Sequence, residues 1–248
     1  MRNIRLVIQY DGSRYAAFQK IGPNTKGILV EDKIAAVLEK MTGEEITLHS
    51  AAKLEAGVHA LGQIANFTTN TNKKEYEIKH YLNQYLPRDI AVLQVDEVPE
   101  RFHSQLNAKS FKFEYRITEG EVANVFERKY NYYSFKRLDV ALMKEAASYL
   151  LGSHDFKAFC NIKKMKKSTV REIYSIDIIK DIDRVTIRIH GNDFWPYMAR
   201  KIVGTLYEVG VGNIKPLTAK MILVEKDPKL AEYIAEPQGL FLEEVLYI

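Results

Sequence analysis

Cysteine is almost missing from this chain of 248 residues. Cys160 stands alone, so no intrachain disulfide can form and no cysteine-cluster metal site can be built. Long apolar runs are missing too: no stretch would span a bilayer, and the opening residues MRNIRLVIQYDG lack the apolar core of a signal peptide. The expectation is a cytoplasmic chain with no membrane partner. Charge of one sign is not in excess, since 36 Lys and Arg face 32 Asp and Glu, for a net +4 and a pI near 8.9. That mild basicity permits a nucleic-acid partner without arguing for one. There is no low-complexity linker, so two halves, if present, are expected to share a sheet or a broad interface.

What remains is an ordinary soluble balance, 46% hydrophobic and 27% charged, in a chain long enough for one large core or two joined ones. Ile4, Leu6, Ile8 and Tyr10 alternate with Arg5, Val7 and Gln9, the pattern of a strand, and Asp11-Gly12-Ser13 ends it in a turn. Val30, Ile34, Val37, Leu38 and Met41 stripe a helix that Gly43 stops. Ile46–Ser50 and Gly62–Thr68 read as strands, with a helix over Glu75–Tyr85, a strand over Ile90–Val95 and a further strand over Arg101–Leu106. Then the order begins again. Phe111, Phe113, Tyr115 and Ile117 alternate in a strand, Tyr130–Phe135 form a short aromatic one, and Leu138 to Leu150 stripe a helix capped by Asp139. Ile173–Ile179 and Val185–Ile189 read as paired strands. Trp195 to Val209 form a strongly amphipathic helix, Lys215–Val224 a shorter one, and Phe241–Tyr247 a closing strand. This is an α+β plan with mostly antiparallel sheet, repeated once.

Between the strands read at Ile46–Ser50 and Gly62–Thr68 lies AAKLEAGVHA, residues 51–60, a small, charged, glycine-bearing connection. Loops held by a rigid sheet are frequent places for chemistry. Lys53 and Glu55 stand two apart, and in an extended loop they would share a side. Two readings stay open: a surface ion pair of little value, or a carboxylate held beside a cation for nucleophilic or acid–base work. His59 lies four residues from Glu55, but two potential ligands do not make a metal site, and none is expected. Arg200 interrupts the apolar stripe of the Trp195 helix, either as a solvated charge or as a group reaching for a phosphate or the Glu55 loop. The run KKMKK, with Lys163, Lys164, Lys166 and Lys167, reads as a solvated loop or as a phosphate-binding arm. Phe113 reads as core, or as a sheet-edge ring able to stack on an unpaired base.

Several long stretches, in order along nearly the whole chain, resemble the TruA-type tRNA pseudouridine synthases. They are IQYDGSRY (8–15), EAGVHALGQIANF (55–67), LNQYLPRDIAV (82–92), VPERFHSQLNA (98–108), LLGSHDFKAFC (150–160), FWPYMARKIVGTLYEVG (194–210) and PQGLFLEEVLY (237–247). The resemblance implies the pseudouridine synthase fold: two ferredoxin-like α/β halves, here 1–106 with the Glu55 loop and 107–248 with Phe113 and Arg200, whose sheets join around a central RNA-binding cleft. It implies a homodimer acting on uridines of the tRNA anticodon arm, with no metal and no organic cofactor. It also implies a reaction in which the base is cut from its sugar, turned over and rejoined through carbon. A stacked base cannot be turned inside a helix, so the nucleotide must first be flipped out.

The family's G-R-T-D-A-G-V-H-A motif reads here Ala52-Lys53-Leu54-Glu55-Ala56-Gly57-Val58-His59-Ala60. Glu55 thus stands at the catalytic aspartate, Lys53 at the arginine that holds the flipped nucleotide, and Phe113 at the tyrosine that packs on the base. Arg200 stands at the helix arginine that pairs with the carboxylate, and the family's G-W-Q is Ala17-Phe18-Gln19. His59 belongs to the same substrate-holding motif. Glu keeps the charge but moves the carboxylate by roughly 1 Å, a displacement that can lower a rate on the order of 10²-fold. Lys53 loses the planar fork, and Phe113 loses the hydroxyl. Two functions follow: a divergent tRNA pseudouridine synthase in which Glu55 does the aspartate's work, or a catalytically silent relative that binds RNA.

Overall fold

The computed structural model describes residues 1–22, 25–160 and 168–247. The chain divides into two units, Met1–Lys109 with Leu242–Ile248, and Ser110–Phe241.

In the first unit the order is β1 (Arg2–Tyr10), α1 (Val30–Thr42), β2 (His49–Ser50), β3 (His59–Thr69), α2 (Glu75–Tyr85) and β4 (Ile90–Val98). The strands lie β4-β1-β3 with β2 beyond β3, and every one of these pairings is antiparallel. Two β-α-β passes laid out in this order make a ferredoxin-like half. The register sets Ile4 opposite Phe67 and Leu6 opposite Ala65. Ile4, Leu6 and Ile8 are fully buried, as are Ile34 and Leu38 of α1 and Ile78 and Leu82 of α2. Each such side chain contributes about 1.5–3 kcal/mol relative to exposure. Arg5 and Val7, on the alternate positions, are only half-buried.

In the second unit β5 (Ser110–Glu119), α3 (Val140–Ser148), β8 (Val170–Asp181), β9 (Arg184–Gly191) and α4 (Met198–Gly210) repeat the strand, helix, strands, helix order. Short strands β6 (Tyr132–Ser134) and β7 (Gly152–Asp155) are added, and α5 (Leu217–Glu225) follows. β5 pairs with β9, β9 with β8 and β8 with β7, all antiparallel, while β6 runs parallel to β5. Phe111, Phe113, Tyr115 and Ile117 of β5 are buried on one face with Val185, Ile187 and Ile189 of β9. Met198, Ile202, Leu206 and Val209 of α4 are likewise buried. The chain closes with β10 (Leu240–Leu246), which crosses from the second unit's residues into the first unit's at Leu242. The α+β, mostly antiparallel plan expected from the sequence is what the structure has.

Three local expectations are corrected. Arg101–Leu106, read as a strand, is a series of turns. Side chains answer its backbone groups instead of a partner strand: Asn3 Nδ2 donates to the carbonyls of Pro99, Glu100 and Phe102, at 2.8 Å for the last, and Asn66 Oδ1 accepts both the amide and the hydroxyl of Ser104 at 2.8 Å. Ile46–Ser50 is a strand only over its last two residues. Ile46 is buried, and its N–H donates to Glu39 Oε1 at 3.3 Å rather than to a ladder. The helix read from Trp195 begins at Met198, because Pro196 disfavours the helical region for Trp195 and Tyr197 takes a left-handed φ of 68°.

Asp139 caps α3 as expected, its Oδ1 accepting the amides of Ala141 at 3.0 Å and Leu142 at 3.1 Å. Asp139→Ala is therefore expected to lower stability by about 1 kcal/mol in urea unfolding, with an unchanged denaturant slope. An unchanged midpoint would contradict the capping assignment.

Candidate active site

The turn that carries Glu55 is fixed from three sides. The first is the turn itself. The Val58 amide donates to the Glu55 carbonyl at 3.2 Å, and Gly57 takes the positive φ of 77° that such a turn needs at its third position. The second is the segment after β1. Ala17 bridges Glu55 in antiparallel fashion, and the Phe18 amide donates to the Leu54 carbonyl at 3.2 Å. Gly12 lies so close that a Cβ there would overlap the carbonyl oxygen of Val58. The third is β3. Gln63 falls opposite Ile8, on the helix-covered face of the strand, and is fully buried. Its Oε1 accepts the Ala52 amide at 3.2 Å and its Nε2 donates to the Ala52 carbonyl at 2.8 Å. One side-chain amide thus closes both backbone groups of Ala52 as a neighbouring strand would. The Ala51 amide adds a bond to the Ile64 carbonyl at 2.8 Å.

Glu55 is 8% exposed on this turn. Beside it stands Tyr10, whose ring packs against Tyr15 and Phe18 at centroid distances of 6.4 and 5.7 Å. The Tyr10 hydroxyl is buried and has no hydrogen-bond partner among the described residues. Burial first, and then the negative charge of Glu55, push its pKa far above the ordinary phenol range. Tyr10 is therefore a neutral phenol next to the carboxylate.

The expected site residues are distributed as follows. His59 is 1% exposed, at the first position of β3 rather than in the loop. Its Nδ1 accepts the Gly12 amide at 3.0 Å and lies 3.4 Å from a carboxylate oxygen of Asp11. His59 thus ties the first turn to the start of β3. Lys53 is exposed while Glu55 is buried, so the two do not share an environment. The charge of Lys53 acts on Glu31, where it opposes the rise in pKa that burial causes. In the second unit, Phe113 is 5% exposed and meets Phe194 edge to face, with centroids 5.0 Å apart. Arg200 is half-buried in the first turn of α4. Its Nε donates to the Ala235 carbonyl at 2.7 Å, its own carbonyl accepts the Ala235 amide at 3.0 Å, and its guanidinium lies 5.5 Å from the Tyr197 ring centre. Lys163, Lys164, Lys166 and Lys167 lie outside the described residues. Among the described residues no group of three or more His, Cys, Asp or Glu could hold a metal ion.

Gln63 and Tyr10 were not singled out by the sequence. Gln63 left a usable signal, because it shares a strand face with Ala65 and Phe67, where an amide must find buried partners. Tyr10 left none, since a tyrosine at the end of an apolar strand is unremarked.

The family described as tRNA pseudouridine synthase matches residues 6–106 and 146–247. A protein of Bacillus cereus named tRNA pseudouridine synthase A 2 is 45% identical over 245 residues, covering 99% of each chain. One of Clostridium tetani named tRNA pseudouridine synthase A 1 is 40% identical over 248 residues, covering both chains in full. Among solved structures, a chain of a Cbf5-Nop10-Gar1 complex aligns with 83% of this chain at 13% identity and a TM-score of 0.35, and this chain spans 45% of its length. On the family match and the full-length relatives, the chain belongs to the tRNA pseudouridine synthase family.

Proposed function

We propose that this protein converts uridine to pseudouridine in tRNA, with Glu55 as the reacting carboxylate. The observation that carries the proposal is the clamped turn. Glu55 occupies the position of the family's aspartate, and Gln63, Gly12 and the Ala17 bridge hold its backbone in one place. A rigidly positioned carboxylate beside a neutral phenol suits work at a sugar carbon or one of its protons. The net reaction is balanced within the substrate. The bond from the sugar to the ring nitrogen breaks, a bond from the same sugar carbon to a ring carbon forms, that carbon loses its proton and the nitrogen gains one. No oxidant, reductant or group donor is consumed.

Around this step the residues take the roles that the resemblance implies. Lys53 contacts the flipped nucleotide as a point charge, Phe113 supplies an apolar face for the base, and Arg200 pairs with the carboxylate. His59 enters as a positioning residue through Gly12. Lys163, Lys164, Lys166 and Lys167 contact phosphates, the target is the anticodon arm, and the working form is a cytoplasmic homodimer. A silent RNA-binding relative is the second reading. It is favoured by the burial of Phe113 against Phe194 and by the exposure of Lys53 where Glu55 is buried.

Purified protein incubated with unmodified tRNA, followed by nuclease digestion and chromatography of the nucleosides, decides between them. Pseudouridine is expected from the unaltered protein and none from Glu55→Ala, with tRNA still bound. Binding without product by the unaltered protein would leave only the second reading.

Gln63→Leu keeps the side-chain volume and removes both amide bonds, leaving the Ala52 amide without a partner and its carbonyl with only the Ser50 hydroxyl at 3.4 Å. It is expected to lower stability by about 1–3 kcal/mol in urea unfolding and turnover by on the order of 10²-fold. Turnover unchanged in folded protein would show that the clamp does not position Glu55. Glu55→Asp alone is expected to raise turnover by less than about tenfold, since Lys53 and Phe113 stay as they are. A larger gain would contradict a site altered at three positions together.

A further inference from the structure

Next to the Glu55 turn, in the same unit, is an open cavity of about 170 Å³ lined by Gln19, Lys20, Glu31, His49, His103 and Gln105, with Leu48 and Ser50 completing its wall. We propose that it is a subsite for one phosphodiester group of the bound RNA. The proposal rests on the reading that RNA is the substrate.

The donor chemistry of the lining carries the inference. His103 Nδ1 accepts the amides of Gln105 at 3.2 Å and Leu106 at 3.4 Å. Its proton must therefore sit on Nε2, which gives the ring one fixed donor. Burial and the neighbouring His49, whose ring centre is 4.8 Å away, both hold His103 below its ordinary pKa, so it donates as a neutral ring. Gln19 Oε1 is bonded to the Ser50 hydroxyl, so the amide has its two N–H bonds left to give. Lys20 supplies the positive charge. Three side chains carrying donors of different kinds line one small polar cavity, which matches the several acceptor oxygens of a phosphate, and bonds to an ionised acceptor are the stronger kind.

Glu31 is the one carboxylate in the lining and works against an anion. One of its oxygens accepts the Lys20 main-chain amide at 3.4 Å, and burial pushes its pKa up. Its presence gives the proposal a test that a generic loss of structure would fail. Gln19 and Ser50 flank the segments that hold the Glu55 turn, since the Phe18 amide bonds Leu54 and the Ala51 amide bonds Ile64. A phosphate fixed here is positioned by the same frame as the carboxylate.

The test is binding of a synthetic anticodon stem-loop RNA by fluorescence anisotropy across a salt series. His103→Asn keeps an acceptor for the Gln105 and Leu106 amides and removes the Nε2 donor, so affinity is expected to fall about tenfold. Lys20→Ala is expected to flatten the plot of log affinity against log salt by about 0.7. Glu31→Gln, which keeps an acceptor for the Lys20 amide, is expected to strengthen binding by roughly threefold or more. Unchanged affinity in His103→Asn and Glu31→Gln, with an unchanged slope in Lys20→Ala, would overturn the proposal. Binding is read apart from product. Protein that makes pseudouridine but ignores all three changes loses the subsite alone, whereas protein that responds to them and makes none keeps the subsite and loses the proposed activity.

Discussion

The contact on which the site depends is backbone against backbone: the turn at Glu55 lies on Gly12 with no space for a side chain between them. Such an approach is stable only if the polar groups it buries are all answered. Gln63 answers both groups of Ala52, His59 answers the Gly12 amide, and Ile64 answers the Ala51 amide. A typical hydrogen bond contributes about 1 kcal/mol net, but an orphaned buried group costs about 1–3 kcal/mol. The asymmetry makes this arrangement all-or-none. The strand register supplies it, since pairing Ile8 with Gln63 brings the amide under the loop.

A rigid frame changes how the substitutions at this site should be weighed. If the backbone could shift, the extra methylene of Glu55 could be absorbed by a small movement of the turn. Here the turn is pinned, so the added length must be taken up by the side chain or by the position of the nucleotide. Tyr10, with its buried and unanswered hydroxyl, limits the room on one side. Lys53 is freer. It is exposed, and a lysine lacks the fixed planar fork of an arginine.

Much of the fold was legible because periodicity and punctuation agreed. The stripe from Glu75 to Tyr85 with Pro87 beyond it gave the bounds of α2, and the alternation from Ile4 to Tyr10 gave the buried face of β1. Arg101–Leu106 misled because Phe102 and Leu106 would share one face of an extended segment, with only Ser104 between them breaking the pattern. What decides that segment is Asn3 and Asn66, which lie far away in sequence and occupy its backbone. The site was legible in part for a similar reason. Glu55 and Lys53 could be found from the motif that they replace. The frame that positions Glu55 could not, because it is made by a glycine with no side chain and by an amide whose partners are main-chain atoms. The histidine pair at His49 and His103 stands 54 residues apart in the sequence and is brought together by the fold.

The central claim is that a carboxylate on a pinned turn rearranges uridine within tRNA. The most direct measurement is single-turnover release of tritium from tRNA carrying uridine tritiated at the ring carbon that gains the sugar. The account predicts that tritium enters the water in step with pseudouridine, one atom for each uridine converted. Tight tRNA binding with all of the tritium retained would contradict it.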